Sequence, residues 1–178
     1  MREFSIWLKD LSTKPLPGAV AAAALSAAMG AGLVAKAARV TLHRGAVDGA
    51  TRTVLRDMID LADRQQDALV RLAEADVRAY HAVLEARSRS ASPSVLHEAW
   101  LQATEMPIRI AEICRLLVEH ASLWLDDCWP AMCADLKIGL WLLETGNRAG
   151  LEAAESNIGF CGEAPAAESL QSRIDSLK

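Results

Sequence analysis

The sequence predicts an all-α protein, an up-and-down helical bundle that contains a buried helix rich in alanine and glycine. Three observations support this fold class. Apolar residues recur every three to four positions along most of the 178 residues, which is the spacing of one helix face. No segment shows the sustained alternation that is typical of a strand, so we expect no sheet. The stretch from Pro15 to Leu42 consists mostly of alanine and other small residues.

This small-residue stretch is predicted to form the buried central helix of the bundle and to end at about His43. Pro15 and Pro17 favour an extended entry, and Gly18 lets another group approach the backbone closely. We therefore expect a loop at the mouth of the helix that can hold a ligand. A membrane span is the alternative, but the uncharged run 19–35 is shorter than the ~20 residues that a span needs.

Two amphipathic helices are predicted around this stretch, a short one from Arg2 to Leu11 and a long one from about Asp48 to Ala86. At 1.5 Å per residue the long helix would measure roughly 58 Å. A compact domain of this size has a diameter of only about 40 Å. We therefore expect either a break in the helix or an elongated protein. An elongated bundle with alanine-rich faces favours pairing with a second copy, so we expect a homodimer.

Prolines and glycines predict the organisation of the C-terminal half. Ser92 is expected to cap a helix, and Pro107 is expected to kink that helix. Pro130 is expected to open the next helix, in which Gly146 and Gly150 are weak points because glycine lowers helix propensity. A short final helix is expected at the C-terminus.

Composition narrows the class of function. For this length we expect one domain over residues 1–178. The net charge of −4 and the lack of a basic run argue against a general nucleic-acid binder. Neither the four cysteines nor the four histidines have a spacing that predicts a metal site. We expect no signal peptide and no membrane anchor, and therefore reduced thiols in a cytoplasmic protein.

Four local patterns go beyond composition. They are Pro15-x-Pro17-Gly18 followed by Ala28-Met29-Gly30-Ala31, then Asp76-Val77-x-Ala79-Tyr80, then Ala103-Thr104-Glu105-Met106-Pro107, and finally Asp135-Leu136-Lys137-Ile138 with the later Asn157. In this order and spacing, over roughly residues 3 to 160, the chain resembles the formiminotransferase-cyclodeaminase family. More narrowly, it is similar to the cyclodeaminase domain of that family and to the bacterial methenyltetrahydrofolate cyclohydrolases.

The resemblance implies a dimeric all-α bundle that acts on a one-carbon tetrahydrofolate. Cyclodeaminases expel ammonia from 5-formiminotetrahydrofolate to form the 5,10-methenyl cation. Cyclohydrolases add water to that cation and open it to 10-formyltetrahydrofolate. Neither reaction requires a metal, so folate is expected as the substrate and no cofactor is expected.

The resemblance also implies two catalytic aspartates, and one glutamate is a further candidate. Asp135 matches the leading acidic position, and we expect it to act as a base or to stabilise the cation. Asp76 is the second candidate and Glu105 the third. Hydration requires a base for the water proton, and an ionised carboxylate stabilises a positive methenyl group. For each of the three, an ordinary solvated helix carboxylate is the alternative.

The proline loop and one arginine are the expected substrate-binding residues. Pro17, Gly18 and Ala19 occupy the loop in which the family places consecutive glycines near the substrate. Arg39 stands where the family commonly has an asparagine. Since Ala19 replaces a glycine, and Ala134 stands where the family often has a serine, a second function stays open. In that alternative the chain is a catalytically silent dimeric bundle that binds a small molecule or a protein.

Overall fold

The computed structural model describes residues 2–163 and 165–178, and within them the chain is helical and contains no strand. The all-α fold class is therefore confirmed. The α-helices are α1 (Arg2–Thr13), α2 (Ala19–Arg44), α3 (Gly49–Ser88), α4 (Pro93–Ser122), α5 (Cys133–Ile158) and α6 (Pro165–Leu177). Two short 3₁₀ turns, Leu125–Asp127 and Pro130–Met132, connect α4 to α5.

Helices α2 to α5 form the up-and-down bundle. Each packs against its neighbour along the chain, and α2 packs against α5 to close the ring, which leaves α2 and α4 diagonally opposed. In α2, 12 of the 26 residues are buried, so the buried small-residue helix is confirmed. Within the described residues α2 packs mainly against α3 and α5, and its outward side, which includes Met29 and Lys36, is exposed. Helix α6 packs across α4 and α5.

Glycines permit the close approach of these helices. A Cβ atom at Gly139 of α5 would lie 2.9 Å from the carbonyl oxygen of Gly30 in α2, and a Cβ atom at Gly150 would lie 2.6 Å from the carbonyl oxygen of Pro107 in α4. Helix α5 continues without a break through Gly146 and Gly150. These two positions are therefore packing contacts rather than points at which the helix ends.

Helix α3 is unbroken over 40 residues, which corresponds to a length of about 60 Å. Of the two possibilities raised by the sequence, an interrupted helix or an elongated protein, the structure has the elongated one. The expected side-chain cap at Ser92 is absent: Ser92 occupies the N-cap position of α4, but its hydroxyl group pairs with that of Ser94 at 3.1 Å. Helix α4 also continues through the buried Pro107 as far as Ser122.

Helix α2 is, among the described helices, the one long and apolar enough to cross a membrane by these two criteria alone. In the structure it packs against α3 and α5 as one side of the bundle. The buried side chains that face these two helices are mostly alanines. The four cysteines are free thiols.

Candidate active site

A cavity of about 320 Å³ lies where the start of α2, the middle of α3 and the end of α5 meet. We call it the entrance pocket. Its lining consists of Pro15, Leu16, Gly18, Ala19, Val20, Asp76, Tyr80, Ala153, Ser156 and Asn157. Sites for small molecules in proteins have volumes of about 300–1,000 Å³ and are mostly apolar with a few polar groups. The entrance pocket matches that description, since most of its lining is apolar.

The proline loop forms one wall of the entrance pocket because it cannot continue the preceding helix. Pro15 and Pro17 have no backbone N–H group and restrict the residues before them to extended conformations. Gly18 takes an extended conformation (φ −109°, ψ −169°) at the N-cap of α2 and has no side chain with which to cap the helix. The chain therefore leaves α1 as an extended loop before α2 begins at Ala19.

Asp76 is the buried carboxyl group of the pocket. Its exposed fraction is only 6 %, and the backbone N–H of Ala21, in the first turn of α2, donates a hydrogen bond to it. The first backbone N–H groups of an α-helix have no partner within the helix. Asp76 accepts from one of them, which Gly18 cannot do because it has no side chain. Burial raises the pKa of Asp76 to about 6, although the hydrogen bond from Ala21 acts in the opposite direction.

Three further polar residues of the pocket were not among the predicted site residues. Tyr80 follows Asp76 by four positions on α3, so the two share a helix face. Ser156 and Asn157 come from the last turns of α5, and the amide of Asn157 donates to the carbonyl oxygen of Ala103 at 3.4 Å. Tyr80 and Asn157 belong to the patterns that carried the family resemblance, and that was the available signal for them.

Asp135 lies at the opposite end of the molecule from the entrance pocket. It is the third residue of α5, whereas Asn157 is near the end of that helix, and 22 residues of α-helix separate the two by about 33 Å. The ammonium group of Lys36 is 2.6 Å from the Asp135 carboxylate. We call these two residues the Lys36–Asp135 pair. Within one chain, the Asp135 side chain therefore does not reach the entrance pocket or the proline loop that lines it.

Some of the remaining predicted residues lie at the entrance pocket, and others lie in ion pairs elsewhere. Gly18 and Ala19 line the entrance pocket, and Pro17 belongs to the same loop between Leu16 and Gly18. Arg39 forms an ion pair with Asp63 of α3. Glu105 forms one with Arg173 of α6 at 2.6 Å, which attaches α6 to α4. The structure therefore brings Asp76, Gly18 and Ala19 together and places Asp135, Glu105 and Arg39 elsewhere.

The entrance pocket has the properties of a site for acid–base chemistry on a cation. Its carboxyl group is buried, and no ion pair within residues 2–163 and 165–178 involves it. A general base works best when its pKa is near the working pH, and burial moves Asp76 towards that range. Over the same residues, no group of three or more histidine, cysteine, aspartate or glutamate side chains is arranged to hold a metal ion.

Comparisons with known proteins agree with the fold and the predicted family. The family model described as formiminotransferase-cyclodeaminase matches residues 5–176. The methenyltetrahydrofolate cyclohydrolase of Methylorubrum extorquens is 27 % identical over 120 residues, which cover 63 % of this chain and 57 % of that protein. The alignment thus spans little more than half of the curated relative. The crystal structure of formiminotetrahydrofolate cyclodeaminase from Thermotoga maritima shares the fold, with a TM-score of 0.84 and 16 % identity over 93 % of this chain and 82 % of that one.

Proposed function

The chain belongs to the formiminotransferase-cyclodeaminase family, and from that premise we propose that it is a folate one-carbon enzyme whose reaction takes place in the entrance pocket. The observation that carries this proposal is Asp76, a carboxyl group that is 6 % exposed and lies at the N-terminus of α2 in a cavity of ligand size. Burying a carboxylate without a cationic partner is costly, and a positively charged substrate would provide that partner.

The proposed reaction is the hydrolysis of 5,10-methenyltetrahydrofolate to 10-formyltetrahydrofolate. The ionised Asp76 stabilises the methenyl cation and accepts a proton as water attacks the carbon between N5 and N10. The bond from that carbon to N5 then breaks, and the proton on Asp76 passes to N5. The hydroxyl group on the carbon loses its proton to solvent and becomes the formyl group, so the reaction releases one proton overall.

The same geometry supports the deamination of 5-formiminotetrahydrofolate as the second candidate reaction. There N10 attacks the formimino carbon and loses its own proton. That proton and a second one from a protonated carboxyl group convert the imino nitrogen to ammonia, which leaves as its bond to the carbon breaks and the methenyl cation forms. A carboxyl group with a pKa of about 6 is present in both protonation states near neutral pH. We assay hydrolysis first because the curated relative is named as a cyclohydrolase.

The decisive experiment follows the absorbance of the methenyl compound with wild-type protein, with Asp76→Asn and without protein. We expect wild-type turnover well above the spontaneous rate, and kcat/KM that rises with pH through about 6 as Asp76 ionises. Ammonia release from the formimino compound is measured in parallel. Folate binding by calorimetry without turnover of either compound would instead support the catalytically silent alternative. The absence of both turnover and binding would overturn the proposal.

We propose further that the protein acts in the cytoplasm as a homodimer. Met29 of α2 and Ile138 and Trp141 of α5 are large apolar residues that are exposed in the single chain. They lie on the two helices whose outer sides have no covering element within the described residues. Analytical ultracentrifugation of the wild type and of Trp141→Asp tests this, with a dimer expected for the wild type and a weakened dimer for the variant.

A further inference from the structure

An aromatic cluster continues from the entrance pocket towards the surface. Tyr80, which lines the pocket, meets the ring of Trp100 edge-on at a centroid distance of 5.9 Å. Trp100 is stacked on Phe160 with centroids 4.7 Å apart and planes inclined by 22°. Trp100 is 3 % exposed, whereas Phe160 is 50 % exposed. The buried Trp100 ring thus connects Tyr80, at the pocket, to Phe160, which is exposed to solvent.

Arg87 lies over the outer end of this aromatic cluster. Its guanidinium carbon is 5.0 Å from the centroid of Trp100 and 5.8 Å from that of Phe160. Within residues 2–163 and 165–178, no carboxylate forms an ion pair with Arg87. The neighbouring Arg89, by contrast, pairs with Glu85 at 2.5 Å. The rings hold the Arg87 guanidinium by cation–π attraction while its donors stay free for an anion.

Asp76, Tyr80 and Arg87 lie in a row on α3. The spacings of four and seven residues put all three on one face of the helix. The 11 residues from Asp76 to Arg87 correspond to about 16 Å along the helix axis. A ligand that binds along this face would have one end at a buried carboxylate and the other at a free guanidinium, with aromatic rings between them.

We infer that Arg87 binds the anionic tail of the substrate and that the exposed ring of Phe160 packs against its benzoyl ring, and this inference rests on the proposed function. A tetrahydrofolate carries its one-carbon unit at one end, a benzoyl ring in the middle and glutamate carboxylates at the other end. The order of groups along α3 is complementary to this, since Asp76 faces the cationic methenyl group and Arg87 faces a carboxylate. The partly exposed rings of Tyr80 and Phe160 face the benzoyl ring. A guanidinium group forms strong paired hydrogen bonds with a carboxylate.

A purely structural role for Arg87 makes a different prediction. A cation in the last turn of a helix stabilises that helix through its dipole, and Arg87 is in the last turn of α3. In that case its removal would change the stability of the protein but not its preference among substrates. The two roles are therefore separated by comparing substrates that differ only in the tail.

The experiment compares the wild type, Arg87→Met, Arg87→Lys and the control Arg89→Met. The substrates are 5,10-methenyltetrahydrofolate and the amide of 5,10-methenyltetrahydropteroate, which lacks the glutamate and carries no carboxylate. For Arg87→Met we expect KM for the glutamate-bearing substrate to rise about tenfold, the loss of one charged hydrogen bond, with kcat within twofold. KM for the pteroate amide should not change. Arg87→Lys should recover part of the loss, and Arg89→Met should match the wild type.

Equal KM ratios for the two substrates would overturn the inference, since the glutamate would then not contact Arg87. If the wild type turns over neither substrate, the proposed reaction fails, and the tail site is tested separately by calorimetry with p-aminobenzoylglutamate. That fragment contains the ring and the carboxylates but no reacting atoms. Binding that Arg87→Met weakens about tenfold supports the tail site, because the fragment then contacts the guanidinium. Binding that the variant leaves unchanged, or no binding to the wild type, overturns it.

Discussion

The entrance pocket and the Lys36–Asp135 pair present two aspartates in opposite physical situations. Asp76 is buried, accepts a hydrogen bond from a backbone N–H and has a pKa raised to about 6. Asp135 is partly exposed and lies 2.6 Å from an ammonium group. A carboxylate already neutralised by a lysine has less to gain from a cationic substrate. The difference teaches that burial and partners, rather than the residue type or its position in a motif, decide which carboxylate is available for chemistry.

The sharpest way to break this comparison is to remove each carboxylate in turn. Asp76→Asn keeps the shape of the side chain but removes the base, so we expect kcat for the methenyl compound to fall by about 10²–10⁴-fold. Asp135→Asn should retain wild-type kcat within about threefold, because Asp135 lies about 33 Å from the entrance pocket along α5. The reverse result, with Asp135→Asn inactive and Asp76→Asn active, would place Asp135 in the site of a second subunit.

The pH dependence of stability tests the burial of Asp76 without any substrate. Its folded-state pKa of about 6 is above the ordinary value of about 3.9, so the folded state holds this proton more tightly. The tighter binding of this proton stabilises the folded state. Its contribution to the free energy of unfolding is fully present below pH 4 and is lost as the pH rises through 6. It amounts to roughly 3 kcal/mol. We expect the free energy of unfolding of the wild type, minus that of Asp76→Asn, to fall by this amount in urea titrations. A flat difference would show that Asp76 is solvated.

A glycine substitution tests whether the two regions are independent. Gly139 is near the Asp135 end of α5, and an added Cβ would lie 2.9 Å from the carbonyl oxygen of Gly30. Gly139→Ala should therefore destabilise the bundle by about 1–3 kcal/mol and leave KM unchanged. The control is Gly159→Ala, where a Cβ would meet no atom within 4 Å. A changed KM for Gly139→Ala in folded protein would show that strain at this end reaches the entrance pocket.

The smallest effect is expected at the Lys36–Asp135 pair itself. Lys36→Met removes an ion pair whose lysine is more than half exposed, so the free energy of unfolding should change by less than about 1 kcal/mol. Lys137→Met, at an exposed lysine of the same region, controls for the change in net charge. If Lys36→Met lowered the free energy of unfolding, measured by urea denaturation, much more than Lys137→Met does, the pair would contribute substantially to the packing of α2 against α5.

Much of the fold and part of the site could be predicted from the sequence. The apolar periodicity indicated the helices, and residues of the proline loop before α2 line a cavity. The order of the candidate aspartates could not be obtained in the same way. Both Asp76 and Asp135 stand beside apolar residues in the sequence, and nothing local distinguishes a carboxylate that meets a helix N-terminus from one that meets Lys36. The pairing of Glu105 with Arg173 depends on where α6 packs, which is equally non-local.

The sequence by itself determined the helical class, the close-packed alanine helix and the family, because these depend on spacing and local motifs. Only the tertiary structure decided that Asp76 and Asn157 face one cavity while Asp135 lies about 33 Å away along α5. The physical reason is that helical periodicity sets the side of a helix on which a residue lies, whereas packing sets the part of a neighbouring helix that it meets.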